Sequence, residues 1–231
     1  MVFDPLYFIM LLPALILAGA ATVLTKTTFS RYARVQASSG MTGAEAAARM
    51  LERQGVADVR IERVQGFLSD HYDPRTRVLR LSPAVYDTPS LSAIGVACHE
   101  AGHALQHASR YAPLRLRSAL VPAAQFGTQA SYVVFVAGLL LQSSTLLWLA
   151  ILLFGAAFLF ALVTLPVEWD ASARAKRFMV ASGIVAPREQ GAAGKVLNAA
   201  FLTYVAAAVS SLLTLLYFLV RSGLLGGRRS D

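Results

Sequence analysis

The sequence predicts a mainly α, multi-span membrane protein with about four transmembrane helices and a small α+β region outside the bilayer. Two observations carry this reading. First, 56% of the 231 residues are hydrophobic and 15% are charged, which is too apolar for an ordinary soluble domain. Second, the charges are segregated: Pro5 to Thr25, Ser118 to Val167 and Val196 to Val220 contain no Lys, Arg, Asp or Glu.

A helix needs about 20 mostly apolar residues to cross the hydrocarbon core. The first and third charge-free stretches each fit one crossing. The middle one is about twice that length, so it crosses, turns and returns. Its turn is placed at Gln142-Ser143-Ser144-Thr145, the most polar part of its second half. The predicted spans are roughly 5–25, 118–141, 145–166 and 197–220. The second contains Pro122, Gln125 and Gln129 and is expected to pack against protein. The first is read as an uncleaved anchor. A signal peptide opens on positive charge, whereas this chain opens Met1-Val2-Phe3-Asp4-Pro5 and has no basic residue before Lys26.

With four spans, residues 26–117 and 167–196 share one side of the membrane, and the whole chain, 1–231, reads as a single membrane domain. Lys26, Arg31, Arg34, Arg110, Arg115, Arg117, Arg174, Lys176, Arg177, Arg188 and Lys195 lie on that side. Arg221, Arg228 and Arg229 lie on the other. The positive-inside rule then predicts a cell-membrane protein whose polar segments face the cytoplasm. The net charge of +8 is assigned to anionic membrane lipid, with no nucleic-acid partner.

The polar segments carry their own signals. Thr42-Gly43-Ala44-Glu45 reads as a capping box that opens a helix from Ala44 to Gln54, and Gly55 ends it. Val59 to Val64 and Arg77 to Ser82 alternate polar with apolar and read as strands. Between them, Asp70-His71-Tyr72-Asp73-Pro74 is rich in turn formers. A helix then starts near Ser90 or Ser92 and runs through His107.

That helix contains His99-Glu100-Ala101-Gly102-His103, an H-E-x-x-H pattern, and three of the chain's four histidines. Residues i and i+4 stack on one helix face, so both imidazoles can reach one tetrahedral zinc ion. Glu100 points to the adjoining face, where it can take a proton from zinc-bound water as general base. Ala101 and Gly102 are small enough to let a neighbour pack closely. Cys98, the sole cysteine, is turned about 100° from His99 and is expected to face away from the metal. His107 lies about 12 Å along the axis from His99 and is a poor ligand for the same ion. Gln106 and Ser109 stand where the longer pattern H-E-x-x-H-x-x-G-x-x-H needs Gly and His, which excludes that class. Glutamate is the usual alternative third ligand. Glu168 and Asp170 stand out at the end of the third span, after Pro166, which suits a first helical turn. Glu168 is the leading choice and Asp170 the next.

Three segments together are similar to the YugP-type neutral zinc metallopeptidases of bacterial membranes. They are Gly66-Phe67-Leu68-Ser69-Asp70-His71-Tyr72-Asp73-Pro74, Val96 through His107 with the H-E-x-x-H, and Pro166-Val167-Glu168-Trp169-Asp170-Ala171-Ser172. The later run Val196 to Ala207 resembles the same family. More distantly, Glu168-Trp169-Asp170-Ala171 resembles the Glu-aromatic-x-Ala segment of HtpX-like and CAAX-prenyl endopeptidases. That resemblance implies a zincin-like catalytic region with Glu168 as third zinc ligand. Those enzymes carry Asp four residues after the glutamate, where this chain has Ser172.

The expected activity is a membrane-anchored zinc endopeptidase acting on a peptide or membrane-protein substrate. Two other readings compete. A site-2-type intramembrane protease buries H-E-x-x-H in a long apolar span, but Leu91 to Cys98 is too short to cross. A non-catalytic adaptor with structural zinc would want four protein ligands. The strand Arg77 to Ser82 is expected to offer an exposed edge on which a substrate pairs by β-augmentation, an idea that Leu79→Pro or Arg80→Pro would probe. In the preceding turn, His71 either donates to the developing oxyanion or braces the turn.

Overall fold

Helices dominate the computed structural model, which describes residues 4–66 and 69–223. Phe67 and Leu68 of the segment singled out above lie outside the described residues, as do Arg228 and Arg229 of the basic tail. The elements run α1 (Pro5–Tyr32), α2 (Gly43–Arg53), β1 (Arg60–Arg63), β2 (His71–Asp73), β3 (Val78–Leu81), α3 (Pro83–Tyr86), α4 (Leu91–Ala108), α5 (Ala112–Leu140), α6 (Ser144–Ala181) and α7 (Pro187–Arg221). Among the described residues, α1, α5, α6 and α7 are the helices long and apolar enough to cross a membrane. They correspond to the four predicted spans, and the chain is a mainly α membrane protein. Ile9, Leu15, Val133 and Leu152 remain exposed on these helices, apolar surface suited to lipid rather than water.

Each long helix overruns its predicted span. The hydropathy pattern locates the apolar part of a helix, whereas the helix itself continues wherever its polar end still packs. The third case corrects the sequence reading most clearly. Pro166 does not begin a helix: it lies inside the continuous α6. Beyond it, Ala171, Ala175 and Met179, four residues apart along one face, are fully buried and hold the extension in place. The turn between α5 and α6 falls at residues 141–143, with Gln142 in the left-handed region at φ 49°.

The described residues form two compact units. One comprises the described residues 4–20, 116–165 and 203–223, with an aromatic core in which Phe135 stacks on Phe218 at 4.0 Å. There Tyr217 and Arg221 both donate to the Asp4 carboxylate, at 2.9 and 3.0 Å, which ties the two ends of the described chain together.

The other unit comprises Ala21–Arg115 and Pro166–Leu202. Its α2 opens with the expected capping box: Glu45 N–H donates to Thr42 Oγ1 at 3.3 Å, and Thr42 N–H donates to the Glu45 carboxylate at 2.8 Å. Gly55, at φ 72°, follows the helix in the left-handed conformation that ends it. The sheet has strand order β1-β3-β2, with β1 parallel and β2 antiparallel to β3.

This sheet corrects two expectations. His71–Asp73 is a strand rather than a turn. The turn comes just after it, where the Asp73 carboxylate accepts from Arg75 N–H and Thr76 Oγ1 and Arg77 adopts φ 53°. More consequentially, β3 is the central strand. Leu79 pairs with Ile61 on one side and Tyr72 on the other, and Val78, Leu79 and Leu81 are fully buried. It therefore offers no edge to a substrate, and proline at Leu79 or Arg80 would break the sheet instead of a binding surface. The three-residue β2 was invisible to the alternation test because a strand that short shows no period.

Candidate active site

Helix α4 runs through the core of this second unit. Ser90 caps it, its Oγ accepting from Ala93 N–H at 3.2 Å. Ile94, Ala97, Cys98, Ala101 and Leu105 pack into the apolar cluster around α2 and β3. His99 and His103 point elsewhere, toward α6. What lets α6 come so near is Gly102: a Cβ there would sit 2.6 Å from the carbonyl oxygen of Ala171. Close approach through a small residue was expected, and glycine is the residue that provides it.

Against this contact Glu168 meets both histidines. Its Oε2 is 3.2 Å from His99 Nε2 and 3.4 Å from His103 Nε2, and the two rings stand edge to face at 4.8 Å. The three ligand atoms lie within 4.8 Å of one another. Glu168 is 2% exposed at its side chain, and the histidines are 13% and 10% exposed. Two imidazole nitrogens and a carboxylate oxygen are the donor set of catalytic zinc sites, which keep one position open. The group therefore fits a metal ion. Asp170, the alternative carboxylate, is absent from it and instead holds Arg174 at 2.6 Å.

The electrostatics match the geometry. Burial presses the His103 imidazolium down, but the Glu168 carboxylate, the Glu100 charge and the Gln106 amide outweigh it and leave the ring's pKa raised. Burial likewise pushes Glu168 up. Its hydrogen bonds and charge interactions with His103 and His99 win, and the carboxyl is held well below the usual carboxylate range.

A second rank of polar groups surrounds the cluster. Gln106, fully buried, sits with Oε1 3.0 Å from His103 Nδ1, and its Nε2 donates to Val167 O and Asp170 Oδ2, both at 2.8 Å. Ser172 Oγ lies 3.1 Å from His99 Nδ1, so the residue that departs from the related enzymes' aspartate still reaches a candidate ligand. Sequence reasoning used Gln106 only to exclude a longer motif. Its position three residues after His103 on the same helix was the available signal.

The remaining candidates lie apart from the cluster. Cys98 is buried in the apolar core, where burial pushes its thiol up to about 12. His107 pairs with Tyr72, whose hydroxyl is 2.8 Å from Nδ1, and burial followed by the Asp73 charge pushes that phenol up to about 12. His71 is exposed on β2, with Nδ1 2.8 Å from Ser69 O.

Comparison with known proteins agrees with this chemistry. Residues 7–223 match the model of a family described as putative neutral zinc metallopeptidase. The chain is 48% identical over 215 residues to a protein of Bacillus subtilis (strain 168) named "putative membrane protease YugP", an alignment covering 93% of this chain and 96% of that one. No solved structure matches the chain significantly. With two histidines and a glutamate converging as a zinc peptidase requires, and with this likeness along nearly all of its length, the chain belongs to the family of putative neutral zinc metallopeptidases.

Proposed function

We propose that the protein is a membrane-anchored zinc endopeptidase, with His99, His103 and Glu168 as metal ligands and Glu100 as general base. The observation that carries this reading is the convergence of Glu168 from α6 on His99 and His103 of α4, beside Glu100. When bound, zinc would supply Lewis acidity, polarising the scissile carbonyl and acidifying water. The chain does the rest. Glu100, 9% exposed, accepts a proton from the attacking water and returns it to the leaving amine. Glu168 and the histidines hold the site's geometry, and their low exposure limits access of bulk water. His71 would take part only by swinging its exposed ring from Ser69 to the oxyanion. Alanine at 71 separates that role, which lowers kcat, from bracing, which lowers stability.

The surface-enzyme reading is favoured over an intramembrane protease because α4 is not among the helices suited to cross a membrane. The excess of basic residues on the side that carries residues 26–117 and 167–196 supports a cytoplasmic site apposed to anionic lipid. The substrate is proposed to be a peptide or membrane protein, with no nucleic acid involved.

The deciding variant is Glu100→Gln. It should retain stoichiometric zinc while peptide turnover falls by about 10²–10⁴-fold. Unchanged turnover would remove Glu100 from the mechanism, and a wild-type protein with zinc but no hydrolysis of any peptide or membrane-protein library would favour the non-catalytic adaptor.

A further inference from the structure

Among the described residues, the polar groups around the candidate ligands treat the two histidines differently, and the difference lies in what each partner is able to donate. Ser172 Oγ, next to His99 Nδ1, is a hydroxyl and can either give or take a hydrogen bond. It leaves the tautomer of His99 open. Gln106, next to His103 Nδ1, has no such freedom.

The amide nitrogen of Gln106 has two partners, and both only accept. One is the main-chain oxygen of Val167 at 2.8 Å. The other is Asp170 Oδ2 at 2.8 Å, an oxygen that also accepts from Arg174 Nε at 2.6 Å. An amide nitrogen has two hydrogens, so both are used. Flipping the amide would set its oxygen against two acceptors in a fully buried site and leave its donors unmet. The orientation is therefore fixed, with Oε1 toward His103 at 3.0 Å. Oε1 can only accept, so His103 must carry its proton on Nδ1.

We infer that Gln106 is a positioning residue that locks His103 as the Nδ1–H tautomer, leaving Nε2 as the metal-facing nitrogen, and that Asp170 and Arg174 act through it. This rests on the reading that His103 is a metal ligand. It assigns a use to Asp170 other than ligation, and it explains how a buried amide on the active helix is tolerated. Partners that orient ligating histidines commonly change metal affinity by about 10–100-fold when removed.

The experiment compares zinc affinity, by chelator competition, in full-length detergent-solubilised wild type, Gln106→Met and Ser172→Ala. Methionine matches the shape but removes the acceptor toward His103 together with the amide donors to Val167 and Asp170. Gln106→Met should weaken zinc binding by about 10–100-fold and alter the cobalt(II) absorption spectrum. Ser172→Ala, which removes a partner that does not fix a tautomer, should cost less than Gln106→Met. Wild-type affinity in Gln106→Met overturns the inference. A second readout needs no variant: in zinc-loaded wild type, the His103 Nδ1 proton should appear by NMR as a downfield, slowly exchanging resonance. A rapidly exchanging one overturns the inference. Failure of wild type itself to bind zinc would instead defeat the metal-site reading on which the inference rests.

Discussion

Gly102 and Ala171 are in close contact between α4 and α6, where a side chain on Gly102 would lie 2.6 Å from the Ala171 carbonyl oxygen. The obstruction is backbone, so it cannot rotate away. Gly102 lies between His99 and His103, and Ala171 lies three residues after Glu168, so this contact sets how far the carboxylate stands from the imidazoles. Gly102→Ala is expected to destabilise the protein by about 1–3 kcal/mol through overpacking, and to weaken zinc binding without altering a ligand. Gly95→Ala is the comparison: its Cβ would meet Ala193 O at 3.3 Å, a contact that a small shift relieves. Thermal unfolding and zinc titration of both variants would check this. Equal behaviour of the two would show that the α4–α6 contact does not govern the site.

The assignment of the third ligand makes a sharper prediction. Glu168→Ala should reduce zinc below one equivalent and abolish turnover, because two histidines alone leave the ion under-coordinated. Asp170→Ala should retain stoichiometric zinc with weakened affinity, since its carboxylate reaches the cluster only through Gln106. Metal analysis after dialysis separates the two variants. Retention of tight zinc by Glu168→Ala, with loss in Asp170→Ala, would reverse the assignment.

Much of this site was legible in the sequence because its signals are local. The i, i+4 spacing of His99 and His103 defines one helix face, and Thr42 with Glu45 announces a helix start. Glu168 was reachable only by ligand counting and family resemblance, because nothing between residues 104 and 167 encodes its approach to α4. The contact depends on tertiary packing at Gly102. The sheet was the least legible part. Arg77 to Ser82 has the alternation of a half-buried strand, but alternation does not say whether a strand is central or at an edge. Partner order comes from β2, whose three residues, His71 to Asp73, look like a turn because the turn-forming side chain of Asp73 belongs to both.

Cys98 should be inert in the folded protein. Its thiol is fully buried, and burial raises its pKa to about 12. An unfolded cysteine titrates near pH 8.5, so thiolate forms preferentially in the unfolded chain once pH exceeds about 8.5. The sign follows: this group leaves stability unchanged at neutral pH and lowers it progressively as pH rises from the unfolded value toward the folded one. Maleimide alkylation at pH 7.5 is expected to label denatured protein fully and native protein hardly at all. Rapid labelling of the native form would mean that α4 opens on the timescale of the assay.

That inertness makes topology testable without first removing the native cysteine. Gln36 is exposed in the linker after α1, on the side that carries residues 26–117 and 167–196. Gln36→Cys should be shielded from a membrane-impermeant maleimide in intact cells and become reactive once the membrane is breached, as the distribution of Lys and Arg requires. Ser230→Cys, beyond the last span, should show the reverse, reacting from outside. The counter-signal is the basic tail, Arg221 with Arg228 and Arg229, which by the same rule pulls the C-terminal end inward. It is outnumbered by the eleven Lys and Arg counted on the opposite side. Labelling of Gln36→Cys in intact cells would invert the proposed arrangement and place the candidate site outside the cytoplasm. Its substrates would then have to be sought among secreted and surface proteins.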